Sequence, residues 1–378
     1  MAVYTIQRYV RPIGEVREHI FERARGRGNP TGNPFEHTEY ELVREALDSL
    51  TSLDRDEWAA AFVEIARPFE EQAGYAEAAG DHTVARENYL KAYGYYHAGR
   101  YPAPNSPGKR QAYLKCMENF RAAARYLDPP LEIVQMPFTG RPGEGDAVVG
   151  YLRKPKRTGP FPVLVAWGGI DGFKEERRVE GYLERGMATL AIDMPGVGEA
   201  PIAGSEDADR MYDAVFDWIG GQPDLDVDRI GIIGGSTGGY WAAKLAHTQK
   251  DRIRAAIDQG GCTHYAYTPE WIEKAQHGEY ALELAETLAS AFGLSTFDEW
   301  VEYAPRLSLL TQDVLDQPCA PLLLVNGIHD SIFPIADMYL LLEHGSPKAA
   351  RLYPVGHMGH TPDTAPMMLN WMAERLGV

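Results

Sequence analysis

Cysteine is scarce in this sequence, with only Cys116, Cys262 and Cys319 among 378 residues. An odd number of widely spaced cysteines argues against a disulfide framework and is typical of a reducing compartment. No apolar run is long enough to span a bilayer, and residues 1–8 lack the basic-then-apolar pattern of a signal peptide. We therefore expect a cytoplasmic protein.

Positively charged residues are also few compared with negatively charged ones. The sequence has 37 Lys and Arg and 54 Asp and Glu, which gives a net charge of -17. This balance argues against a nucleic-acid partner and against an anionic membrane surface. Neither a cysteine pair nor a His-Glu-x-x-His pattern is present, so we expect no metal and no cofactor. The expected partner is a small-molecule substrate. A homodimer is a possible oligomeric state.

The order of secondary structure changes near residue 130. Residues 1–130 show helical stripes, in which apolar residues recur every three or four positions, as at 58–69, 85–96 and 116–127. Gly80 is expected to end one helix and Asp81 to cap the next. Strands predicted at 131–136 and 147–152 open a region where strands and helices alternate, which indicates an α/β fold.

The motif Gly234–Gly238 places Ser236 between an apolar run at 230–233 and a helical pattern at 241–246. A serine on so sharp a strand-to-helix turn is a nucleophile elbow, and its glycine neighbours leave room for the turn. An ordinary glycine-rich loop is the alternative interpretation. An acid and a histidine follow in the order Ser, Asp, His, which favours the elbow and the α/β-hydrolases.

Asp330 is the candidate acid. It lies in the loop after the buried strand predicted at 321–325, and active-site groups of parallel sheets gather at the carboxyl ends of strands. An Asp that merely caps its own turn is the plainer interpretation. Asp258, after the apolar residues 255–257, is the alternative acid.

The candidate base is one of two histidines, His357 and His360, that follow the strand predicted at 351–355. A base at this place can face Ser236 while Asp330 holds its second ring nitrogen. His357 is closer to the strand end and is preferred. His360 is then a loop or pocket residue.

An oxyanion hole needs two backbone N–H groups, one of them from the residue after the nucleophile. Thr237 supplies that one. The apolar strand predicted at 161–167 ends in Gly168–Gly172, and Ile170 of this loop is the second candidate. A tight turn without a catalytic role is the alternative.

Together with Lys174–Glu176, Asp193–Glu199 and the loops after 326 and 355, these motifs resemble the family of 2,6-dihydroxypseudooxynicotine hydrolase and related capped C–C bond hydrolases. The resemblance runs from about residue 55 to the C-terminus. It implies an α/β-hydrolase fold with an N-terminal helical cap, with Ser236 as nucleophile, Asp330 as acid and His357 as base.

The family also uses a glutamate beyond a Gly-Gly pair, which here is Gly260-Gly261. Glu270 and then Glu273 are the nearest carboxylates, although neither has the family's spacing, and both can equally be solvated residues at a helix start. Tyr96 and His97, in an aromatic cluster of the cap, are candidate substrate contacts or simply packing residues.

The expected organisation is a helical cap at 1–130 and a catalytic domain at 131–378, with a helical lid element near 262–315. The expected function is hydrolysis of a C–C bond next to a ketone. The first alternative is a carboxylesterase or amidase, because fold and triad serve both reactions. The second is a non-catalytic binding protein that keeps the hydrolase fold.

Overall fold

A computed structural model describes residues 5–8, 10–26 and 35–378. The prediction that residues 1–8 form no signal peptide falls partly on residues 1–4, outside the described residues. The chain divides into two compact units. The helical unit comprises the described residues up to Leu131 together with Ala281–Ser290, and the sheet unit comprises Glu132–Tyr280 and Ala291–Val378.

Helices and strands run through the described chain in the following order. The helices are α1 (Ile13–Gly26), α2 (Tyr40–Ser49), α3 (Arg55–Ala78), α4 (His82–Arg100), α5 (Pro107–Ala124), α6 (Glu180–Glu184), α7 (Arg210–Gly220), α8 (Thr237–Thr248), α9 (Pro269–Ala275), α10 (Leu284–Ala291), α11 (Phe297–Tyr303), α12 (Ile335–Glu343) and α13 (Thr364–Leu376). The strands are β1 (Leu131–Pro137), β2 (Ala147–Arg153), β3 (Phe161–Trp167), β4 (Ala188–Ile192), β5 (Leu225–Gly235), β6 (Ala255–Gln259), β7 (Leu322–Gly327) and β8 (Lys348–Tyr353). Short 3-10 turns lie at Lys174–Glu176, Tyr265–Tyr267, Ala304–Leu307 and His357–Gly359.

The helical unit confirms the predicted helices and their caps. The carboxylate of Asp81 accepts from the Val84 amide at 3.1 Å and so caps α4, as the sequence indicates. Trp58 and Phe62 of the first stripe are buried in this unit. The third stripe is shorter than predicted, since α5 ends at Ala124, before Leu127.

The lid element expected near 262–315 includes residues 281–290, and these residues belong to the helical unit instead. The reason is a buried ion network around Glu283. Its carboxylate accepts from Arg55 at 2.6 Å and from Asn105 at 3.1 Å, and Lys109 lies 3.6 Å away. Burial acts to raise the pKa of Glu283, but Lys109 and Arg55 outweigh it and keep the pKa low. The segment is therefore held by charges that no local pattern reveals.

The sheet unit is built on an eight-stranded sheet with the order β1-β2-β4-β3-β5-β6-β7-β8. Strand β2 pairs antiparallel with β4, and the strands from β4 through β3 to β8 pair parallel. The central strands β3, β4, β6 and β7 are buried along their whole length, as expected of parallel strands covered on both faces. Their carboxyl ends consequently meet at one edge, where the candidate residues lie.

The core on one face of the sheet packs against α13. Ile257 and Val325 from the strands meet Met368, Met372 and other buried side chains of this helix. Burial of this apolar surface is what holds the sheet together. Among the residues that the structure describes, none of the helices combines the length and apolar character needed to cross a bilayer.

Candidate active site

Ser236 lies between β5 and α8 in a strained backbone conformation, with φ 55° and ψ −130°. A non-glycine residue at positive φ is uncommon and persists only where its surroundings enforce it. The surroundings of Ser236 are tightly packed in this way. A Cβ built on Gly238 would stand 2.1 Å from the Gly168 carbonyl oxygen, so only a glycine fits at position 238 of this turn. The predicted elbow is therefore present as a sharp strand-to-helix turn with Ser236 at its tip.

His357 connects Ser236 to Asp330. Its Nε2 lies 2.8 Å from the Ser236 Oγ, and its Nδ1 lies 2.8 Å from the Asp330 Oδ2. The other predicted histidine, His360, is exposed. The structure thus brings together the serine, the preferred histidine and the preferred acid in one hydrogen-bonded series.

Asp330 is buried and supplied with donors. Its Oδ1 accepts from the amides of Ile332 at 2.8 Å and Phe333 at 3.0 Å, and its Oδ2 accepts from the Asn326 side chain at 2.8 Å. Burial acts to raise the pKa of Asp330, but His357 and these hydrogen bonds outweigh it and hold the pKa below the usual range. A carboxylate that stays ionised can orient and stabilise an imidazolium.

Asp258, the alternative acid, has a different environment. It is fully buried at the end of β6, and its Oδ1 accepts from the Gly261 amide at 2.7 Å. Its Oδ2 has no hydrogen-bond partner within the described residues. Burial raises the pKa of Asp258 to about 7. Such a carboxyl is a poor partner for a cation, and the structure joins His357 to Asp330 instead.

The loop Gly168–Gly172 passes beside Ser236. A Cβ built on Gly169 would stand 2.8 Å from the Ser236 Cβ and 3.1 Å from its Oγ, so the two backbones approach more closely than a side chain permits. Ile170 is buried in this loop, and Thr237 is buried at the start of α8. In the part of the chain that the structure describes, neither amide donates to another backbone group.

Glu279 is a further residue of the site and is not among those predicted from the sequence. Its carboxylate accepts from the His357 amide at 3.1 Å and from the amide and hydroxyl of Ser331 at 3.0 and 3.1 Å. It therefore joins the loop of the candidate acid to the loop of the candidate base. No motif surrounds Glu279, so no signal in the single sequence marks it.

Asn326 was missed as well, although it carries a signal. It is a fully buried polar residue within the apolar strand β7, four positions before Asp330. Its side chain donates to Asp330, and its Oδ1 accepts from the Gly327 and Met358 amides at 2.8 Å. A polar side chain at the end of a buried strand usually has such partners.

The remaining candidates lie elsewhere. Glu270 and Glu273 are exposed on α9, outside the hydrogen-bonded series. Tyr96 and His97 belong to α4 of the helical unit, where both are buried. The Tyr96 hydroxyl donates to Glu70 at 2.6 Å, and His97 contacts Arg100. Each of these two side chains has a partner within the helical unit.

No group of three His, Cys, Asp or Glu residues that could hold a metal ion occurs among the described residues. Cys116, Cys262 and Cys319 are buried, and none of them forms a disulfide bond within the described part of the chain.

A family model described as esterase FrsA-like matches residues 36–358. The chain belongs to this FrsA-like family. Its mostly parallel eight-stranded sheet with flanking helices is that of an α/β-hydrolase, and the helices before β1 complete the expected fold class. The fold predicted from the motifs is confirmed.

Curated relatives of this FrsA-like protein carry hydrolase names. The chain is 31% identical over 243 residues to 2,6-dihydropseudooxynicotine hydrolase of Paenarthrobacter nicotinovorans, which covers 62% of this chain and 60% of the relative. It is 26% identical over 232 residues to esterase FrsA of Vibrio cholerae, covering 59% of this chain and 53% of the relative. The alignments therefore span little more than half of the relatives. The resemblance predicted from the motifs is confirmed.

Solved structures share the fold of this FrsA-like protein. A crystal structure of 2,6-dihydroxy-pseudo-oxynicotine hydrolase matches with a TM-score of 0.73 at 24% identity, covering 90% of this chain and 93% of that one. The structure named AbyA5 wildtype matches with a TM-score of 0.71 at 20% identity, covering 97% and 95% of the two chains. At these identities the matches establish the fold.

Proposed function

We propose that this protein is a serine hydrolase that attacks the carbonyl group of a small molecule through a Ser236–His357–Asp330 triad. The observation that carries the proposal is the unbroken series of two 2.8 Å contacts, from Asp330 to His357 and from His357 to Ser236. Nucleophile, base and orienting acid each need a neighbour at this distance. The series has all three.

The reaction follows from this geometry. The Oγ of Ser236 bonds to the carbonyl carbon while its proton passes to Nε2 of His357, and Asp330 stabilises the imidazolium. The amides of Ile170 and Thr237 donate to the oxyanion of the tetrahedral intermediate. The leaving group then departs with the proton from His357. Water then gives a proton to His357 and adds as hydroxide to the acyl carbon. The bond between that carbon and the Ser236 Oγ breaks, and His357 returns the proton to the Oγ.

Two classes of leaving group suit this mechanism. An ester or amide leaves as an alkoxide or amine, which His357 alone can protonate, and the family description favours an ester. Cleavage of a C–C bond next to a ketone releases a carbanion or enolate instead. The named resemblance supports this second candidate, and Glu279 supplies a carboxylate against the His357 amide.

Fluorophosphonate labelling tests the proposal. We expect the probe to modify Ser236 and to abolish turnover of a p-nitrophenyl ester, and Ser236→Ala to remove both labelling and turnover with an unchanged fold by circular dichroism. Ser308→Ala is the matched control, because its hydroxyl also contacts a histidine, His264, at 2.7 Å. Labelling of Ser236→Ala at the parent rate, or turnover within about tenfold of the parent, would contradict the proposal.

A further inference from the structure

Lys174 is a buried cation surrounded by carboxylates. Its Nζ lies 2.7 Å from Asp193, 2.7 Å from Glu199 and 3.2 Å from Glu175, and its side chain has no exposed surface. Taking such charges out of water is costly, and the attraction between them often does no more than offset that cost. A buried cluster of this kind is therefore weak evidence for stability alone. Its position in the fold gives it a more specific role.

Lys174 is held to the sheet twice by Asp193. The backbone N–H of Lys174 donates to the Asp193 Oδ1 at 2.9 Å, and its ammonium donates to the Asp193 Oδ2 at 2.7 Å. Asp193 directly follows β4, which pairs in parallel with β3. The Glu199 amide also donates to Asp193, at 2.9 Å. A single carboxylate at the end of β4 thus fixes both the main chain and the side chain of Lys174.

The segment between the end of β3 and Lys174 is short. Strand β3 ends at Trp167, and only residues 168–173 separate it from Lys174. Ile170 lies in the middle of this segment, and the next residue, Asp171, accepts from the Tyr280 hydroxyl at 3.0 Å. Gly169, next to Ile170, lies so close to Ser236 that a Cβ built on it would stand 2.8 Å from the Ser236 Cβ. A shift of the segment therefore also moves the Ile170 amide relative to Ser236.

We propose that Lys174 is a positioning residue, which acts through Asp193 to hold the segment 168–173 so that the Ile170 amide faces the oxyanion formed at Ser236. The inference rests on the proposed serine-hydrolase function. Donors of an oxyanion hole must be placed for the transition state rather than for the substrate, and small misplacements lower the rate strongly. The effect is independent of the leaving group, because every acyl substrate passes through the same oxyanion.

This role predicts a specific kinetic signature. Loss of the Lys174 ammonium should lower kcat and leave KM nearly unchanged, because the amide contacts the oxyanion and not the ground state. It should also weaken a trifluoromethyl ketone, whose hemiketal adduct with Ser236 carries the oxyanion. A merely structural defect lowers the fraction of active protein but leaves the inhibition constant of the remaining active sites unchanged.

The experiment compares Lys174→Met with the parent, using a p-nitrophenyl ester and a trifluoromethyl ketone, with active sites counted by fluorophosphonate titration. We expect a loss of about 30-fold or more in kcat per active site and a similar weakening of the inhibitor, somewhat below the loss of a whole oxyanion donor. Asp193→Asn keeps an acceptor for the Lys174 amide and removes the charge. If Lys174→Met does not fold, this second variant should show the same pattern.

Lys154→Met is the matched control, because Lys154 also joins two carboxylates of the sheet unit, Glu132 at 3.1 Å and Asp224 at 3.0 Å, away from the segment 168–173. It should retain the parent kcat and inhibition constant. Parent-like values in Asp193→Asn and Lys174→Met, or equal losses in Lys154→Met, would overturn the inference. The proposed function would still stand in that case, since it is tested separately by Ser236→Ala.

Discussion

Asn326 donates a 2.8 Å hydrogen bond from its side-chain amide to the Oδ2 of Asp330, the same oxygen that faces the His357 Nδ1. Its own Oδ1 accepts from the Met358 amide, next to His357. One buried side chain at the end of β7 therefore connects the acid loop to the base loop. The amides of Ile332 and Phe333 donate to the other oxygen of Asp330, Oδ1. Together these hydrogen bonds fix which oxygen Asp330 presents to the imidazole.

Asp330→Asn is expected to lower kcat by about 10⁴-fold and to leave the fold intact. An amide in this position can donate to Nδ1 and so favours the tautomer that cannot accept the proton of Ser236. The measurement is kcat on a p-nitrophenyl ester at pH 7, with circular dichroism as the check on folding. Asp258→Asn serves as the control and should stay within about threefold of the parent. A larger loss in the control than in Asp330→Asn would reverse the assignment of the acid.

The two histidines give a second prediction. His357→Ala removes the base and should reduce turnover by about 10³-fold or more, whereas His360→Ala removes an exposed side chain and should have little effect. Both variants are assayed on one substrate, with unfolding temperatures measured in parallel. If His360→Ala is the more damaging while both proteins are folded, the base has been misassigned.

Much of the site could be predicted because its signals are local. The elbow around Ser236 needs glycines at adjacent positions, and Asp330 and His357 follow apolar strands whose ends meet in any parallel sheet. Glu279 could not be found in this way, because its partners lie 52 and 78 residues further along the chain and only the folded sheet brings them together. A carboxylate without local context looks the same whether it is solvated or bonded.

The boundary between the two units also depends on contacts between residues far apart in the sequence, which a single sequence does not reveal. The helices up to α5 follow from their periodicity, and β1 to β3 follow from apolar runs. Residues 281–290 join the helical unit because Glu283 pairs with Arg55, which is 228 positions away. A pairing at that distance in the chain leaves no trace in one sequence.

The roles of Glu270 and Glu279 can be distinguished by comparing turnover of a ketone with turnover of an activated ester. Glu270→Gln should leave turnover of a ketone and of an activated ester unchanged, because Glu270 is exposed on α9. Glu279→Gln should slow both substrates by about tenfold or more, since an amide group must turn a donor toward the His357 or Ser331 amide. A loss of about 10²-fold confined to the ketone would instead identify Glu279 as an acid for a carbon leaving group. A ketone-specific loss in Glu270→Gln would instead assign the role of proton donor to Glu270.

Asp258 allows a prediction about stability and pH. Its pKa rises from an ordinary value of 3.8 to about 7 because the folded protein buries it. Between these values the folded protein holds a proton that the unfolded chain has lost, so the contribution of Asp258 to stability falls as pH rises, by about 1.4 kcal/mol per unit. This contribution is fully present below about pH 4 and is lost once the pH passes about 7.

Asp258→Asn removes this titration while keeping an acceptor for the Gly261 amide. The free energy of unfolding of the variant, relative to the parent, should therefore rise by about 2–3 kcal/mol between pH 5 and pH 8. Urea denaturation at several pH values measures the difference. Asp251→Asn is the control, because its side chain is 87% exposed and its difference from the parent should stay constant with pH. A constant difference for Asp258→Asn would mean that the buried carboxyl is already ionised at pH 5. Its Oδ2, which has no hydrogen-bond partner among the described residues, would then need a donor from outside them.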